Sequence, residues 1–310
     1  MIHSLNMVWN PSEGIDLGFF VIRFYSLMWV VAFALGFWVT KKIFIREGEP
    51  LEKLDSLFFY TIIATMLGAR LGHVIFYQPE LFREDFLSVF LPIRTQPEFE
   101  FTGFSGLASH GAAIGIIIAM LYFSRKIMKK PMIWVLDRIT LAIALGAVFI
   151  RFGNFMNSEI YGKPTDSSLG IKFIQEDEFW KNNNIFQTTQ TNNIKEAYKL
   201  IETDPKFTDI LSEIPARHPA QLYEAVGYVF IFMILYFLYW KTNVREKAGY
   251  LFGVFLVLLW SVRFFVEFVK ESQGGFEGEN PLLSTGQWLS IPFIIVGIYL
   301  MMRVKKQKVA

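Results

Sequence analysis

Apolar residues in this chain come in seven long blocks, and each block is about as long as a helix that crosses a lipid bilayer. A hydrocarbon core roughly 30 Å thick takes about 20 helical residues. Inside it no water can satisfy the backbone, so blocks of this length fold as helices. We therefore predict an all-α, polytopic membrane protein with about seven transmembrane helices. Their approximate bounds are 19–40, 57–77, 107–124, 133–153, 219–240, 248–269 and 287–303.

The composition supports the same class and excludes others. Hydrophobic residues make up 53% of the chain, and the mean hydropathy is +0.36, above the average for soluble domains. The first block contains Arg23 and runs without charge to Thr40 with no small-residue cleavage site, so we interpret it as a retained helix rather than a signal peptide. The absence of cysteine excludes disulfides, Cys-ligated zinc and a thiol nucleophile. A net charge of +2 does not suggest a nucleic-acid partner.

The basic residues of the short loops predict the orientation, because cytoplasmic loops are enriched in Lys and Arg. One side carries fifteen: Lys41, Lys42, Arg46, Lys53, Arg125, Lys126, Lys129, Lys130, Lys241, Arg245, Lys247, Arg303, Lys305, Lys306 and Lys308. The short loops of the other side carry two, Arg83 and Arg94. We expect the N-terminus outside and the C-terminus in the cytoplasm. The expected domains are an outer segment at 1–18, helices one to four at 19–159, a periplasmic head at 160–217, helices five to seven at 218–303 and a cytoplasmic tail at 304–310.

Polar residues within the predicted helices fall mostly in the outer leaflet. By helix, they are Arg23 and Tyr25, Arg70 and His73, His110, then Arg151, Asn154 and Glu159, then His218, Gln221 and Glu224, then Arg263 and Glu267. Asp137 and Arg138 are the exception, and we interpret them as cytoplasmic interface residues. Charge at membrane depth is costly and usually functional. Arginine suits phosphate, and histidine accepts a proton near neutral pH, so we predict a phospholipid headgroup site open to the outer leaflet.

Each of these residues also has a plain structural interpretation. For Arg23 it is snorkelling, and for Arg263 and Glu267 it is an i,i+4 ion pair. Arg70 and His73 can be a helix-end pair, and His218-Pro219 can be a helix start. For His110 it is packing beside Gly106, Gly111 and Gly115. We expect Arg151 and Arg263 to bind phosphate rather than the acids near them, because together the residues supply more arginine than acid.

Ordered motifs along the chain resemble those of the prolipoprotein diacylglyceryl transferase family. They are Tyr25-Ser-Leu-Met28, Gly68-Ala-Arg70-Leu-Gly72-His-Val-Ile-Phe-Tyr77, His110-Gly111, Arg151-Phe-Gly-Asn154-Phe-Met-Asn157-Ser-Glu159-Ile-Tyr-Gly162, Arg217-His218-Pro219-Ala-Gln221-Leu-Tyr223-Glu224, Arg263-Phe-Phe-Val-Glu267-Phe and Ser284-Thr-Gly286-Gln287. The resemblance covers every predicted helix, while the loop 163–216 shows no recognisable match.

The resemblance implies seven helices, an outer head and a cavity open sideways to lipid, in the bacterial inner membrane. It implies transfer of a diacylglyceryl group from phosphatidylglycerol to the lipobox cysteine of a prolipoprotein signal peptide, with no metal or cofactor. The implied catalytic residues are His110 as the base, Arg151 and Arg263. Implied phosphatidylglycerol-binding residues are Tyr25, Arg70, Arg151, Asn154, Glu159, Gly162, Arg263 and Glu267, supported by His218, Gln221 and Glu224.

The chain departs from the family pattern at three places. Leu259, followed by Trp260, stands where many members carry a tyrosine, so a role for that tyrosine does not carry over. Ala112 stands where many members have a second glycine after the histidine, and Arg23 where many have a histidine.

Two other classes of function remain open from the residues alone. The first is a seven-helix transporter or receptor for an anionic lipid, although a transporter would place its polar residues at the membrane midplane. A retinal protein would need a lysine midway along the last helix, and 287–302 has none. The second is an intramembrane serine protease, suggested by Gly103-Phe-Ser105-Gly106, but such an enzyme needs a histidine base deep in a later helix.

Overall fold

The structure, a computed structural model, describes residues 7–18, 21–91, 93–95, 98–101, 108–271 and 282–303. In chain order its α-helices are α1 (Phe24–Glu47), α2 (Leu51–Tyr77), α3 (Leu81–Glu84), α4 (Phe86–Phe90), α5 (Ser109–Tyr122), α6 (Met132–Met156), α7 (Asp177–Asn182), α8 (Ile185–Thr189), α9 (Ile194–Thr203), α10 (Thr208–Glu213), α11 (Ala220–Lys241), α12 (Tyr250–Val266) and α13 (Thr285–Met302). Its strands are β1 (Met7–Trp9), β2 (Gly14–Asp16), β3 (Val21–Arg23), β4 (Ile93–Arg94), β5 (Glu100–Phe101), β6 (Ile171–Phe173) and β7 (Ala216–Arg217).

The long apolar helices confirm an all-α, multi-pass membrane protein. Among the described residues, six helical segments are long and apolar enough to cross a bilayer: α1, α2, α6, α11, α13 and His110–Met128, in which a π-helical turn (Phe123–Met128) continues α5. The seventh, α12, is equally apolar but has 17 residues. Every predicted span therefore overlaps one of these helices.

Two predicted spans extend beyond one end of their helices. Helix α1 begins at Phe24 rather than 19, because residues 21–23 form a strand in which Arg23 pairs with Gly14. Arg23 thus lies at the exposed end of a strand and not in a helix. Helix α12 ends at Val266 rather than 269 because the chain turns there, and Lys270 forms an isolated bridge with Gly162.

The chain divides into two compact units. The larger unit comprises residues 1–36 and 140–310, and the smaller unit comprises residues 37–139. In the smaller unit the core contains Phe44, Leu54 and Phe123. Asp137 and Arg138, which we interpret as cytoplasmic interface residues, are both buried in this unit. A buried guanidinium needs a counter-charge, and Arg138 has one in Glu47, at 3.1 Å.

Helices α2 and α5 of the smaller unit meet through glycines spaced four residues apart. These are Gly68 and Gly72 on α2, and Gly111 and Gly115 on α5. A Cβ atom added at Gly111 would lie 2.3 Å from the carbonyl oxygen of Gly68, and one at Gly72 would lie 2.6 Å from the Cα of Gly111. Small residues at this spacing are what allow two transmembrane backbones to touch.

The segment after α2 is held by one carboxylate. Asp85 accepts hydrogen bonds from the side chains of Ser88 (2.6 Å) and Thr95 (2.7 Å) and from both backbone amides. These hydrogen bonds, from Ser88 first, hold the pKa of Asp85 well below its ordinary value. The buried Arg70 donates to the Ser88 carbonyl oxygen over 2.5 Å and so ties this segment to α2.

In the larger unit, the chain between α6 and α11 contributes two strands to a three-stranded sheet, and we call residues 160–217 of this segment the head. The order is β1-β6-β7, with β1 parallel to β6 (Met7↔Ile171) and β6 antiparallel to β7 (Ile171↔Arg217). The N-terminal strand thus completes the sheet of the head. Trp9 stacks on Phe155 of α6 with ring centroids 4.3 Å apart, and its Nε1 donates to the Phe155 carbonyl oxygen.

Arg217 joins the head to the chain that follows α12. It is buried and pairs with Glu176, with Glu178 at 2.8 Å and with Glu271 at 2.7 Å. Its guanidinium also lies over the ring of Tyr161. Burial raises the pKa of Tyr161 to about 12, so the tyrosine stays neutral in this cluster.

The close approach of α2 and α5 predicts the effect of adding bulk there. Gly111→Val should lower the free energy of unfolding by about 1–3 kcal/mol, the usual cost of overpacking. The matched control is Gly146→Ala, where a Cβ would meet only the Ala32 side chain at 3.6 Å. Thermal unfolding in detergent micelles measures both variants. Equal stability of Gly111→Val and the wild type would contradict the glycine contact.

Candidate functional site

Arg151, in the last turns of α6, is the centre of a buried polar cluster in the larger unit. Its Nε forms an ion pair with Glu224 of α11, and its Nη1 donates to Asn154 Oδ1 over 3.2 Å. The Tyr228 hydroxyl forms a further hydrogen bond with it. Gly153 allows α1 to approach, since a Cβ atom there would lie 3.0 Å from the ring of Tyr25. Three helices thus place their polar side chains around one guanidinium.

The chain beyond α6 extends this cluster toward the head. Asn154 Nδ2 donates to Glu159 Oε1 over 2.8 Å, and Gln221 Nε2 donates to the Glu159 carbonyl oxygen over 2.6 Å. Ser158 and Ile160 adopt left-handed backbone conformations, with φ of 51° and 60°. Such conformations are costly without glycine, and they concentrate at functional sites. The turn 157–160 is therefore held by its polar neighbours.

Arg263 of α12 has fewer polar partners than Arg151 among the described residues. Its guanidinium carbon lies 5.3 Å from the ring of Trp260, which stacks on Phe293 of α13. Its Nε is buried and has no hydrogen-bond partner among the described residues. No ion pair joins it to Glu267, although both residues are described, so the i,i+4 pair is not formed.

Lys270 joins the cluster and was missed in the sequence. It is buried and lies 3.9 Å from Glu267. Arg151, Arg263, Glu224 and Glu267 all act on it electrostatically. Burial lowers the pKa of its ammonium group. Lys270 follows α12 and does not lie in it, so helical spacing gives no signal for this contact.

Several polar atoms in this part of the unit are buried without a partner. Among the described residues they include Arg263 Nε, Glu224 Oε1, Gln221 Oε1 and Ser158 Oγ. Each such atom costs about 1–3 kcal/mol if nothing satisfies it. Unsatisfied buried groups are rare in native proteins and call for an explanation such as a ligand or water. Their concentration here favours a binding site for a polar ligand.

Close packing explains two further family positions. A Cβ at Gly162 would lie 2.6 Å from the Cβ of His218 and 2.5 Å from the Val269 carbonyl oxygen. His218 bonds through Nδ1 to the Tyr223 hydroxyl at 3.2 Å and directly precedes Pro219, the residue before α11. A Cβ at Gly286 would lie 2.4 Å from the carboxylate carbon of Glu267, so this glycine gives Glu267 its place.

The remaining predicted site residues lie in the smaller unit. Arg70 is buried against Ser88, as described above. His110 is exposed at the start of α5, and its ring meets Phe76 edge to face, with centroids 5.0 Å apart. His73 stacks on Tyr77 at 5.3 Å. Gly103–Gly106, on which the protease alternative depends, lies outside the described residues.

The structure changes one expectation about Arg151. We expected it to bind phosphate rather than a neighbouring acid, but its Nε is paired with Glu224. The physical reason is that a guanidinium buried among apolar helices needs a counter-charge. Its position among Tyr25, Asn154, Glu159, Gln221 and Glu224 agrees with the set predicted from the sequence, while the roles of these residues remain predictions.

Comparisons with known proteins agree with this geometry. The family model described as prolipoprotein diacylglyceryl transferase matches residues 13–303. A phosphatidylglycerol–prolipoprotein diacylglyceryl transferase of Tolumonas auensis is 37% identical over 97% of this chain and 99% of its own length. Proteins of the same name from Bacteroides fragilis and Chloroherpeton thalassium are 36% and 35% identical, each over 98% of this chain and at least 96% of their own length. The chain therefore belongs to the prolipoprotein diacylglyceryl transferase family.

Proposed function

We propose that this protein transfers the diacylglyceryl group of phosphatidylglycerol to the cysteine thiol of a prolipoprotein lipobox. The substrates are those in the names of its full-length relatives. The observation that carries the proposal is the buried Nε of Arg263, which has no partner among the described residues and lies in a cluster with Arg151, Lys270, Glu224 and Glu267. A guanidinium donor without a partner is suited to a phosphate oxygen of the phosphodiester.

The reaction is a substitution at carbon. The thiol gives its proton to a base, and the sulfur forms a bond with the glyceryl carbon of the diacylglyceryl group. The bond between that carbon and the phosphate oxygen breaks, and its electron pair leaves with the oxygen as glycerol phosphate. The diester becomes a monoester, so one negative charge develops on the leaving group. Cations positioned beforehand at that oxygen would lower the barrier.

Different roles follow for the two arginines. Glu224 fixes the orientation of Arg151, whose remaining donors can hold the headgroup. Arg263 has a donor free for the phosphate and is the residue whose interaction can strengthen as the charge develops. The base that we propose is His110, because a neutral imidazole raises the fraction of thiolate near neutral pH. No metal is needed in this scheme.

The arrangement favours the transferase over the alternatives. The polar cluster lies at the end of α6, the start of α11 and the end of α12, whereas a transporter typically binds its substrate at broken helices near the midplane. The relatives match this chain over nearly their full length and are named as transferases. Their names give no support to the lipid-receptor and protease alternatives.

A direct assay tests the proposal. Purified protein is incubated with phosphatidylglycerol and a lipobox peptide, and the peptide is then examined by mass spectrometry. We expect the peptide to gain the mass of one diacylglyceryl group and to gain nothing when its cysteine is replaced by serine. An unchanged cysteine peptide, with protein that is folded by circular dichroism, would overturn the proposal.

We further propose that the protein lies in the bacterial inner membrane with the N-terminus and head in the periplasm and the C-terminus in the cytoplasm. The support is the excess of basic residues in the loops that we assign to the cytoplasm. Reporter fusions near Asn192 should be active only as periplasmic reporters, and fusions near Arg245 only as cytoplasmic ones. The reverse pattern would move the polar cluster to the inner leaflet.

Replacing either arginine by lysine should impair transfer strongly. Lysine keeps the charge but loses the planar set of donors. We expect Arg151→Lys and Arg263→Lys each to lower kcat/KM by at least about a hundredfold, the lower end of the range for loss of one preorganised donor. Arg23→Lys, at the exposed end of strand β3, is the matched control and should retain wild-type rates. Near-full turnover in both site variants would exclude the phosphate role.

The role of His110 predicts a change in the pH profile. His110→Asn should lower turnover most near pH 7 and less as the pH passes about 8.5, where the thiol ionises without help. His73→Asn tests the rival histidine of the same unit in the same assay. A uniform loss at every pH would indicate that His110 has a structural or headgroup-binding role, and retained activity would remove it from the mechanism.

A further inference from the structure

A cavity of about 1310 Å³ lies within the larger unit, between the head and the turn that follows α6. Its walls come from the N-terminal segment at residues 10–16, the turn 157–161 and the head helices α7 and α9. Pockets for small molecules usually measure about 300–1,000 Å³. The cavity is therefore large enough for an extended stretch of polypeptide, which advances about 3.3 Å per residue.

The cavity continues from the polar cluster around Arg151. Glu159 lines its wall, accepts a hydrogen bond from Asn154, and Asn154 accepts one from Arg151. Ser158 also lines the wall; the residue is 4% exposed, and its Oγ has no hydrogen-bond partner among the described residues. A buried hydroxyl without a partner in a cavity wall indicates a ligand that forms hydrogen bonds there.

The charges of the walls decide which class of ligand fits. Seven acidic residues line the cavity against three lysines, Lys181, Lys195 and Lys199; the acids are Glu13, Asp16, Glu159, Asp177, Glu178, Glu202 and Glu271. Glu13 pairs with Lys195, and Glu178 and Glu271 pair with Arg217. Four carboxylates then face two lysines. This surplus of negative charge disfavours a phospholipid headgroup or the glycerol phosphate product.

We propose that this cavity binds the stretch of the prolipoprotein that follows the lipobox cysteine, and that it prefers basic over acidic side chains in that stretch. The inference rests on the proposed function and assigns a subsite for its polypeptide substrate. The signal peptide lies in the membrane, so the chain after the cysteine emerges beside Glu159 and the head. The N–H groups of a polypeptide can donate hydrogen bonds to Ser158 Oγ and to the carboxylates. Its basic side chains complement the negative charge of the cavity walls.

Three peptides test the subsite with the full-length protein in phosphatidylglycerol micelles. One ends as an amide at the cysteine, one continues with eight residues including two lysines, and one has two glutamates in place of the lysines. We expect the lysine peptide to have a KM at least about fivefold lower than the glutamate peptide at low salt. High salt should reduce this ratio, since screening weakens exposed charges. Equal KM values for the two long peptides would overturn the proposal.

Replacing acidic residues of the cavity walls by lysine tests the same preference, and acidic residues outside the cavity provide the matched control. Asp177 lies in the first turn of α7 and Glu202 near the end of α9; Asp209 and Glu213 hold the same places in α10 but do not line the cavity. The Asp177→Lys/Glu202→Lys variant should lose or invert the preference for the lysine peptide while kcat for the truncated peptide stays unchanged. The Asp209→Lys/Glu213→Lys control should behave as the wild type. An unchanged preference in the wall variant would contradict the subsite.

A second variant and a binding measurement distinguish failure of the subsite from failure of the proposed function. If the reversal variant does not turn over the truncated peptide, the neutral Asp177→Asn/Glu202→Gln variant replaces it. We expect this variant to have a reduced preference for the lysine peptide. An undiminished preference would contradict the subsite. If the wild type modifies no peptide, the transferase proposal fails. Binding of fluorescent long peptides with alanine for cysteine then tests the subsite alone, and tighter binding of the lysine peptide would support it.

Discussion

Burying the guanidinium of Arg151 among apolar helices is the constraint on which the rest of this structure depends. An unpaired charge at this depth would cost several kcal/mol. Glu224 supplies the counter-charge, and Asn154 and Tyr228 supply further hydrogen bonds. Because Glu224 lies on α11, the pair fixes α6 against α11. Asn154 and Gln221 then position Glu159, so the same network determines where the head begins.

The second arginine of the site is held differently, and the difference suggests how the site works. Arg263 rests on Trp260 and keeps a buried Nε without a partner among the described residues. Lys270 and Glu267 complete the charges around it. An unsatisfied buried donor destabilises the ligand-free protein. The protein thus gives up some stability in exchange for an interaction that only a bound anion can make, as is common at functional sites.

The amino-acid sequence predicted the helices well because hydropathy alone determines which segments can cross a bilayer. It predicted most of the Arg151 cluster because polar residues are conspicuous in apolar helices. The Arg151–Glu224 pair could not be predicted, since nothing in the spacing indicates which acid on another helix meets the arginine. Arg23 and Lys270 were misplaced or missed for a related reason. Short strand pairings with Gly14 and Gly162 end the helices early, and such pairings carry no apolar signature.

The measurement that tests this account most directly is the thermal stabilisation of the protein by lipid. Phosphatidylglycerol and diacylglycerol with the same acyl chains differ by the phosphate-containing headgroup, so the difference between their effects on Tm isolates that headgroup. A ligand that binds only the folded state raises Tm in proportion to its occupancy. We expect phosphatidylglycerol to raise the Tm of the wild type well above the value with diacylglycerol, and Arg263→Gln to abolish the difference. An equal difference in Arg263→Gln and the wild type would contradict the claim that Arg263 is held for the phosphate.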